Sequence, residues 1–430
     1  MTQRYRPARL QRMAGSVIVM RDPIPHPIEN DPADPDIRCT AEPDGRSVRV
    51  ELMIRGRSVS RCWIVPQRIR IGRAVVRMDG IGGVGTDARY RRRGYARRVL
   101  DAAQRRMRQG DAGLSMLYGI PDFYERYGYV QVGPEHSLTI PARETASVTI
   151  EGWSCRPGTA ADLDALADLY SAVTEDAVGA AVRTDASLAW RWMRNASDED
   201  LRKGCCVAVG PGGDVRGYAL LGAGFWAVDV LQREHPRDRV LAEVIAADPE
   251  AASAMLDRCA AVQAMERRTD GERYRPRVLI PGPPDTFIAR AALRRDAVIQ
   301  QSHTASGGSM ACVLNATQLL QQLVPELQLR LRNARRVWRG RIILQIGEER
   351  IQLRSTRDRL QMEPAPAEAS HRCVPAVSLT HAEIALLALG ATSPDFVLWK
   401  RDDPIDRDIQ DLLAALFPQR HPHMHLPDRY

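Results

Sequence analysis

Residues 74–86 read AVVRMDGIGGVGT and residues 89–100 read RYRRRGYARRVL, and the passage from one to the other decides the fold. The first run is strand-like and fills with glycine towards its end. Gly80, Gly82, Gly83 and Gly85 weaken an ordinary strand, so they point to a bulged end whose backbone something must approach closely. The second run opens on Arg91, Arg92, Arg93 and Gly94 and continues with Ala96, Val99, Leu100, Ala103 and Met107, the spacing of an amphipathic helix. A strand turning through a basic glycine into a helix start offers unpaired amides to an anion, with the helix dipole adding to the attraction. Gly94 lets the backbone pass close to that anion, and small Ala96 keeps the next turn open. A bulged strand end also leaves amides near Val84 free to pair with an extended ligand or to polarise a carbonyl.

Working outward, SVRVELMIRG (47–56) and SVSRCWIVPQRIRI (58–71) read as strands before this junction. LSMLYGI (114–120) reads as a buried strand after it, and PDFYERYGYVQVG (121–133) as a short helix turning at Gly128 into another strand. The order is an α/β plan over residues 37–147. Residues 148–304 echo it, with Thr159 as a helix N-cap, a hairpin at Pro211 to Gly213, a helix from Pro249 to about Arg267, the strand RPRVLI and the helix DTFIARAALRR. This second unit lacks the basic glycine turn, so as a duplicate it is expected to have lost cofactor binding. Residues 305–430 read as a small α+β unit ending in the tail PQRHPHMHLPDRY. Residues 1–36 combine arginines with Pro23, Pro25, Pro27, Pro32 and Pro35, which predicts an extended or partly disordered leader.

Apolar and charged fractions of 44% and 27% are those of a soluble globular chain, and no run approaches the roughly 20 apolar residues of a membrane span. A cytoplasmic location follows by default. The eight cysteines are dispersed without metal spacing, and they read as reduced, mostly buried thiols. No metal site is expected: His421, His423 and His425 alternate along the tail but read as solvated. Trp190 and Trp192 either line a cleft or pack between units. The net charge of +8 favours anionic partners without choosing among them.

The stretch GGVGTDARYRRRGYARRVL resembles the acetyl-CoA-binding motif of the GNAT acetyltransferase superfamily, and FYERYGY (123–129) resembles the motif that follows it. The resemblance implies an N-acetyltransferase with acetyl-CoA held by Gly83, Val84, Gly85, Thr86, Arg91, Arg92, Arg93, Gly94, Tyr95 and Ala96. It implies Tyr124 as the acid that protonates the departing thiolate, and a phenol of pKa ~10 can donate that proton at neutral pH. The three-part order resembles Eis-like acetyltransferases: a GNAT unit, a degenerate GNAT-like unit and a sterol-carrier-protein-like C-terminal unit. That likeness assigns the base role to the terminal carboxylate of Tyr430, with Asp79 as the alternative. It also implies a homo-oligomer, with a hexamer among the forms suggested. Arg429, beside Tyr430, is expected to disfavour a strongly cationic amine. The acceptor is a primary amine of a small molecule, peptide or lysine side chain, and no nucleic acid or membrane partner is expected. Two other readings predict different behaviour. A non-catalytic acyl-CoA or lipid sensor releases no thiol, and a nucleic-acid binder loses affinity steeply with salt.

Overall fold

The computed structural model describes residues 28–120, 122–141, 150–184, 187–221, 224–266, 277–302, 308–334, 338–356, 359–365, 374–399 and 405–430. Most of the expected leader, residues 1–27, lies outside the described residues. The first part of the chain forms strands β1 (Ile28–Asp31), β2 (Asp34–Ala41), β3 (Val48–Ile54), β4 (Arg57–Ile71) and β5 (Ala74–Thr86). After these come helix α1 (Tyr95–Arg108) and strands β6 (Leu114–Gly119), β7 (Val130–Gln131) and β8 (Glu135–Pro141). Strands β1 to β5 run antiparallel in order, and α1 then returns the chain so that β6 lies parallel to β5.

The leader reading fails over residues 28–36, which form strand β1, a turn and the start of β2. Pro32 falls in the β1–β2 turn and Pro35 in a register shift, two places where a missing N–H costs no ladder bond. Arg98 on α1 secures this hairpin through Asp34 at 2.6 and 2.7 Å and Asp36 at 2.8 Å. On the other face of α1, Val99, Leu100, Ala103 and Met107 are buried against Cys62, Ile64, Ile81 and Leu117, as their spacing predicts.

The sheets do not follow chain order. Gly308–Val313 lies antiparallel between β6 and β7 and completes the first sheet, while β8 leaves it to lie between Arg277–Pro281 and Val298–Ser302. The second unit adds an antiparallel sheet of Glu243–Ala246, Val215–Leu220, Cys205–Val209 and Ser154–Pro157, backed by the predicted helix, Pro249–Glu266. Thr159 and Asp162 form a reciprocal capping box at the helix start expected there. Sequence reading missed Val178–Ala181, a short run of small residues without alternation, which pairs with β4. It also missed the helices Leu188–Asn195 and Trp226–Glu234. The third unit is a sheet of Leu360–Pro364, Glu349–Ser355, Gly340–Ile346 and Ala376–Leu379. Its core continues into Ile69, Ile71, Val76 and Met78 on one face of β4 and β5, with helix Ala316–Asn333 between. No helix among the described residues is long and apolar enough to cross a membrane.

The tail threads back through the second unit. His423 N donates to Val178 O at 2.8 Å, and His423 and His425 pack against each other with ring centroids 4.9 Å apart. They are not solvated, as the sequence reading has it. Burial holds both imidazoles below their ordinary value, His425 at about 3, so both are neutral. Among the described residues no group of three or more His, Cys, Asp or Glu side chains converges on a metal position. Trp190 is buried in the second-unit core and Trp192 packs on Phe225, so both serve packing.

Deeper in, the Arg183 guanidinium bonds Glu243 at 2.5 and 2.9 Å and Asp428 at 2.8 to 3.1 Å, with all three side chains at most 2% exposed. Tyr218 donates to Glu243 at 2.6 Å, and the Tyr170 ring lies under the guanidinium at 3.7 Å. Such a cluster contributes little over a well-packed apolar one, yet removing one partner strands buried charge. Arg183→Met is therefore expected to destabilise the chain by about 3–5 kcal/mol. Adding Glu243→Gln and Asp428→Asn recovers most of the loss. Urea midpoints of the three-fold and single variants check this, and equal midpoints would count against the cluster's coupling.

Candidate active site

Strand β5 builds the site. It pairs with β6 from Met78 opposite Leu114 to Ile81 opposite Leu117, and no further. Beyond Ile81 the two strands part and leave an open edge on each lip. On its other side, the β4 register passes from Arg61–Gly85 to Trp63–Gly82, so Gly83 and Val84 form a bulge opposite Cys62. The bulge predicted from the glycines is present, and the Trp63 ring fills the space a Gly83 side chain would need.

The chain then turns to the start of α1. Asp87 caps a short turn over Ala88–Tyr90 through Arg89 N at 3.0 Å, and Arg91 Nε donates to Thr86 O at 3.2 Å. Gly94 is the N-cap of α1 at φ +77°, a left-handed conformation that favours glycine, and no side chain caps the helix. Arg98 N is bonded to Gly94 O, so the amides that precede it in the first turn have no intrahelical acceptor. Arg91, Arg92, Arg93 and Gly94 are exposed around them. Uncapped donors, a positive helix end and three accessible guanidinium groups fit a diphosphate, which answers whether these residues suit a CoA nucleotide.

Tyr124 stands on the β6 side of the split. Its ring occupies the space above Gly119 and meets Phe123 edge-on, with centroids 4.8 Å apart. Burial, with Cys62 and Tyr127 adding to it, pushes its phenol up to about 12. Tyr430 stands on the β5 side. Its ring lies where a Gly80 side chain would sit, its main-chain carbonyl comes against Gly82, and its phenol donates to Met116 O at 3.0 Å. Asp79 and Tyr430 both line a cleft of about 490 Å³, together with Val65, Gln67, Arg191 and Asp428. Strand alternation nevertheless points Asp79 to the opposite face of β5 from Gly80 and Gly82. Burial raises the Asp79 carboxyl to about 6.

Two positioning residues, Gln67 and Glu135, gave no sequence signal. Gln67 Nε2 donates to Asp428 O at 2.9 Å and holds the tail beside β4. Glu135 takes both ends of the Arg429 fork at 2.8 and 2.9 Å. Arg429 is 5% exposed and lies over the Tyr118 ring at 4.6 Å. Its charge is thus neutralised within the fold, and the expected repulsion of a cationic amine loses its basis. Tyr118 in turn meets Tyr430 edge-on, with centroids 6.1 Å apart.

Residues 44–132 match the sequence model of the family described as acetyltransferase (GNAT) domain. That range holds β5, the Gly94 turn and Tyr124. A comparison with curated proteins gives no match. Solved structures with the same fold include a GCN5-related N-acetyltransferase from Anabaena variabilis, at TM-score 0.64 and 14% identity over 89% of both chains. One from Kribbella flavida gives 0.63 and 18% over 90% of this chain and 89% of that one. Eis1 from Mycobacterium abscessus gives 0.54 and 12% over 89% of this chain and 90% of that one. At these identities the likeness establishes the fold along nearly the whole chain, and it bears out the expected similarity to Eis-type proteins. Residues 44–132 thus carry the sequence match to an acetyltransferase (GNAT) domain, within a fold that the chain shares with GCN5-related N-acetyltransferases.

Proposed function

We propose that the chain transfers an acetyl group from acetyl-CoA directly to a primary amine of a small molecule, peptide or lysine side chain. The observation that carries this reading is the uncapped helix start at Gly94 set beside the open split of β5 and β6. In this reading Arg91–Ala96 hold the diphosphate, and Gly83–Thr86 pair with the pantetheine arm along the free edge of β5. The amine nitrogen attacks the thioester carbon, the C–S bond breaks, and the phenol of Tyr124 gives its proton to the thiolate. A phenol raised to about 12 stays protonated until that moment. The ammonium proton passes to the carboxylate of Tyr430 beside Gly82, with Asp79 as the alternative acceptor. Alignment of the two reactants supplies much of the rate, and amides near Val84 stabilise the developing oxyanion.

By likeness to Eis-type proteins we further propose a homo-oligomer, a sterol-carrier-like third unit and a cytoplasmic location. Release of CoA thiol with a panel of amines tests the activity. Tight acetyl-CoA binding with no thiol released for any amine would favour the sensor reading instead.

Tyr124→Phe is expected to lower kcat roughly 100-fold while the acetyl-CoA Kd, read by calorimetry, changes less than about twofold. Unchanged turnover removes Tyr124 from the scheme. Appending residues after Tyr430 tests the terminal base: activity is lost if the carboxylate of Tyr430 accepts the proton and kept if Asp79 or water does.

Asp79 also offers a pH test independent of turnover. Because its carboxyl is raised from 3.8 to about 6 in the fold, the folded chain binds more protons than the unfolded one between those values. Stability contributed here therefore falls as pH rises through that window and stays lower above it. Asp79→Asn removes the slope, so the variant's Tm relative to the parent's rises between pH 4 and pH 7. A flat difference would show a carboxyl that is not buried.

A further inference from the structure

The second unit splits its sheet as the first does. Segment 239–246 starts parallel to Arg277–Pro281, with Arg239 opposite Val278 and Val240 opposite Leu279, and Leu241 N donates to Leu279 O at 2.9 Å. At Ala242 it swings away, because Ala242 N donates to Leu220 O at 2.9 Å and Glu243–Ala246 pairs with Val215–Leu220. Past that point no ladder joins the two strands, the same parting that follows Ile81 in β5. A cleft of about 630 Å³ opens there, walled by Val173, Val244, Ala246, Ile280, Pro283 and Phe287. Ala247 N donates to Arg216 O, so alternation turns the backbone groups of Val244 and Ala246 into the cleft, where they meet no backbone partner among the described residues.

What differs is the helix that follows. The first unit starts its helix on an exposed, uncapped glycine. In the second, Asp248 accepts from Ala251 N at 2.7 Å and binds Arg216 at 2.8 and 3.0 Å, and Glu250 stands in the first turn. Carboxylates therefore occupy and repel where a diphosphate would need donors. The groove for an extended arm is kept while the anion site is gone. Phe287 and Val173, 39% and 37% exposed, leave apolar surface at the cleft for an acyl chain.

We propose that this cleft binds an uncharged acyl-pantetheine-type molecule: an extended arm with amides but no nucleotide. Its amides pair with the backbone of Val244 and Ala246, and its acyl chain lies on Val173 and Phe287. His425 of the tail lines the same cleft, so the occupant touches the segment that leads to Tyr430.

Calorimetric titration of the CoA-saturated full chain with S-octanoyl-pantetheine tests this. One equivalent is expected to bind without displacement by excess CoA. Phe287→Glu and Val173→Glu, at partly exposed positions, are each expected to weaken it at least about tenfold. The CoA affinity of the first unit stays unchanged in both variants and shows that they fold. No binding to the CoA-saturated chain, displacement by CoA, or unaltered binding in both variants overturns the proposal. Equal affinity for octanoate, which has no amide, overturns it as well.

Discussion

Arg183 is the residue on which the placement of the tail depends. Its guanidinium joins Asp428, Glu243 and the Tyr170 ring, and so ties the tail, the split strand of the second unit and helix Leu163–Val173 to one point. The position follows closely after Val178–Ala181, which pairs with β4. Burying a guanidinium and two carboxyl groups is costly, and the cost is met only when the fork geometry satisfies both carboxyl groups at once. Few alternative paths for the tail satisfy that demand. The cluster therefore specifies where residues 423–430 run more than it adds to stability, and with Gln67 and Glu135 it delivers Tyr430 to β5.

The glycines of β5 show how this delivery shaped the sequence. Four glycines near the end of one strand call for close backbone approach, and the reading from sequence assigns that approach to a ligand. In the fold, three of the four are approached from within the chain. The Tyr430 ring covers Gly80, its main chain abuts Gly82, and Trp63 fills the space at Gly83. The edge left for a ligand begins after these, along the bulge and towards Thr86. A side chain at Gly80 would displace the tail before it met any substrate, which makes that glycine a requirement of the chain's own packing.

Features with local causes were legible in the sequence. The helical spacing of α1, the bulge, the Thr159 cap and the hairpin at Pro211 to Gly213 each rest on residues within one or two turns of one another. Features with distant causes were not. Arg183 and Asp428 are 245 residues apart, and Arg429 and Glu135 294, and nothing in either neighbourhood marks its partner. The tail histidines misled for the same reason: a polar, Pro-rich terminus reads as solvated unless the groove that receives it is known. Asp79 was legible as a strand carboxylate, but its separation from Tyr430 by a face of β5 required the register.

The strand exchange carries this dependence into the site itself. Strand β6 is one lip of the split, and its far edge is paired with Gly308–Val313, a segment nearly 190 residues later in the chain. The same segment pairs with β7, which follows Tyr124, so the ring above Gly119 and the strand beneath it share one distant support. On the other lip, helix Ala316–Asn333 reaches β5 and the turn before it: Glu326 accepts from Arg73 N at 2.9 Å and Gln322 from Arg77 N at 2.7 Å. Both lips are thus fixed by residues beyond 300, although the match to the GNAT domain ends at residue 132. Folding that domain alone would leave β6 an unpaired edge and expose Ile69, Ile71, Val76 and Met78. The geometry of the split is consequently a property of the whole chain, and the third unit and the tail are part of what holds the first in shape.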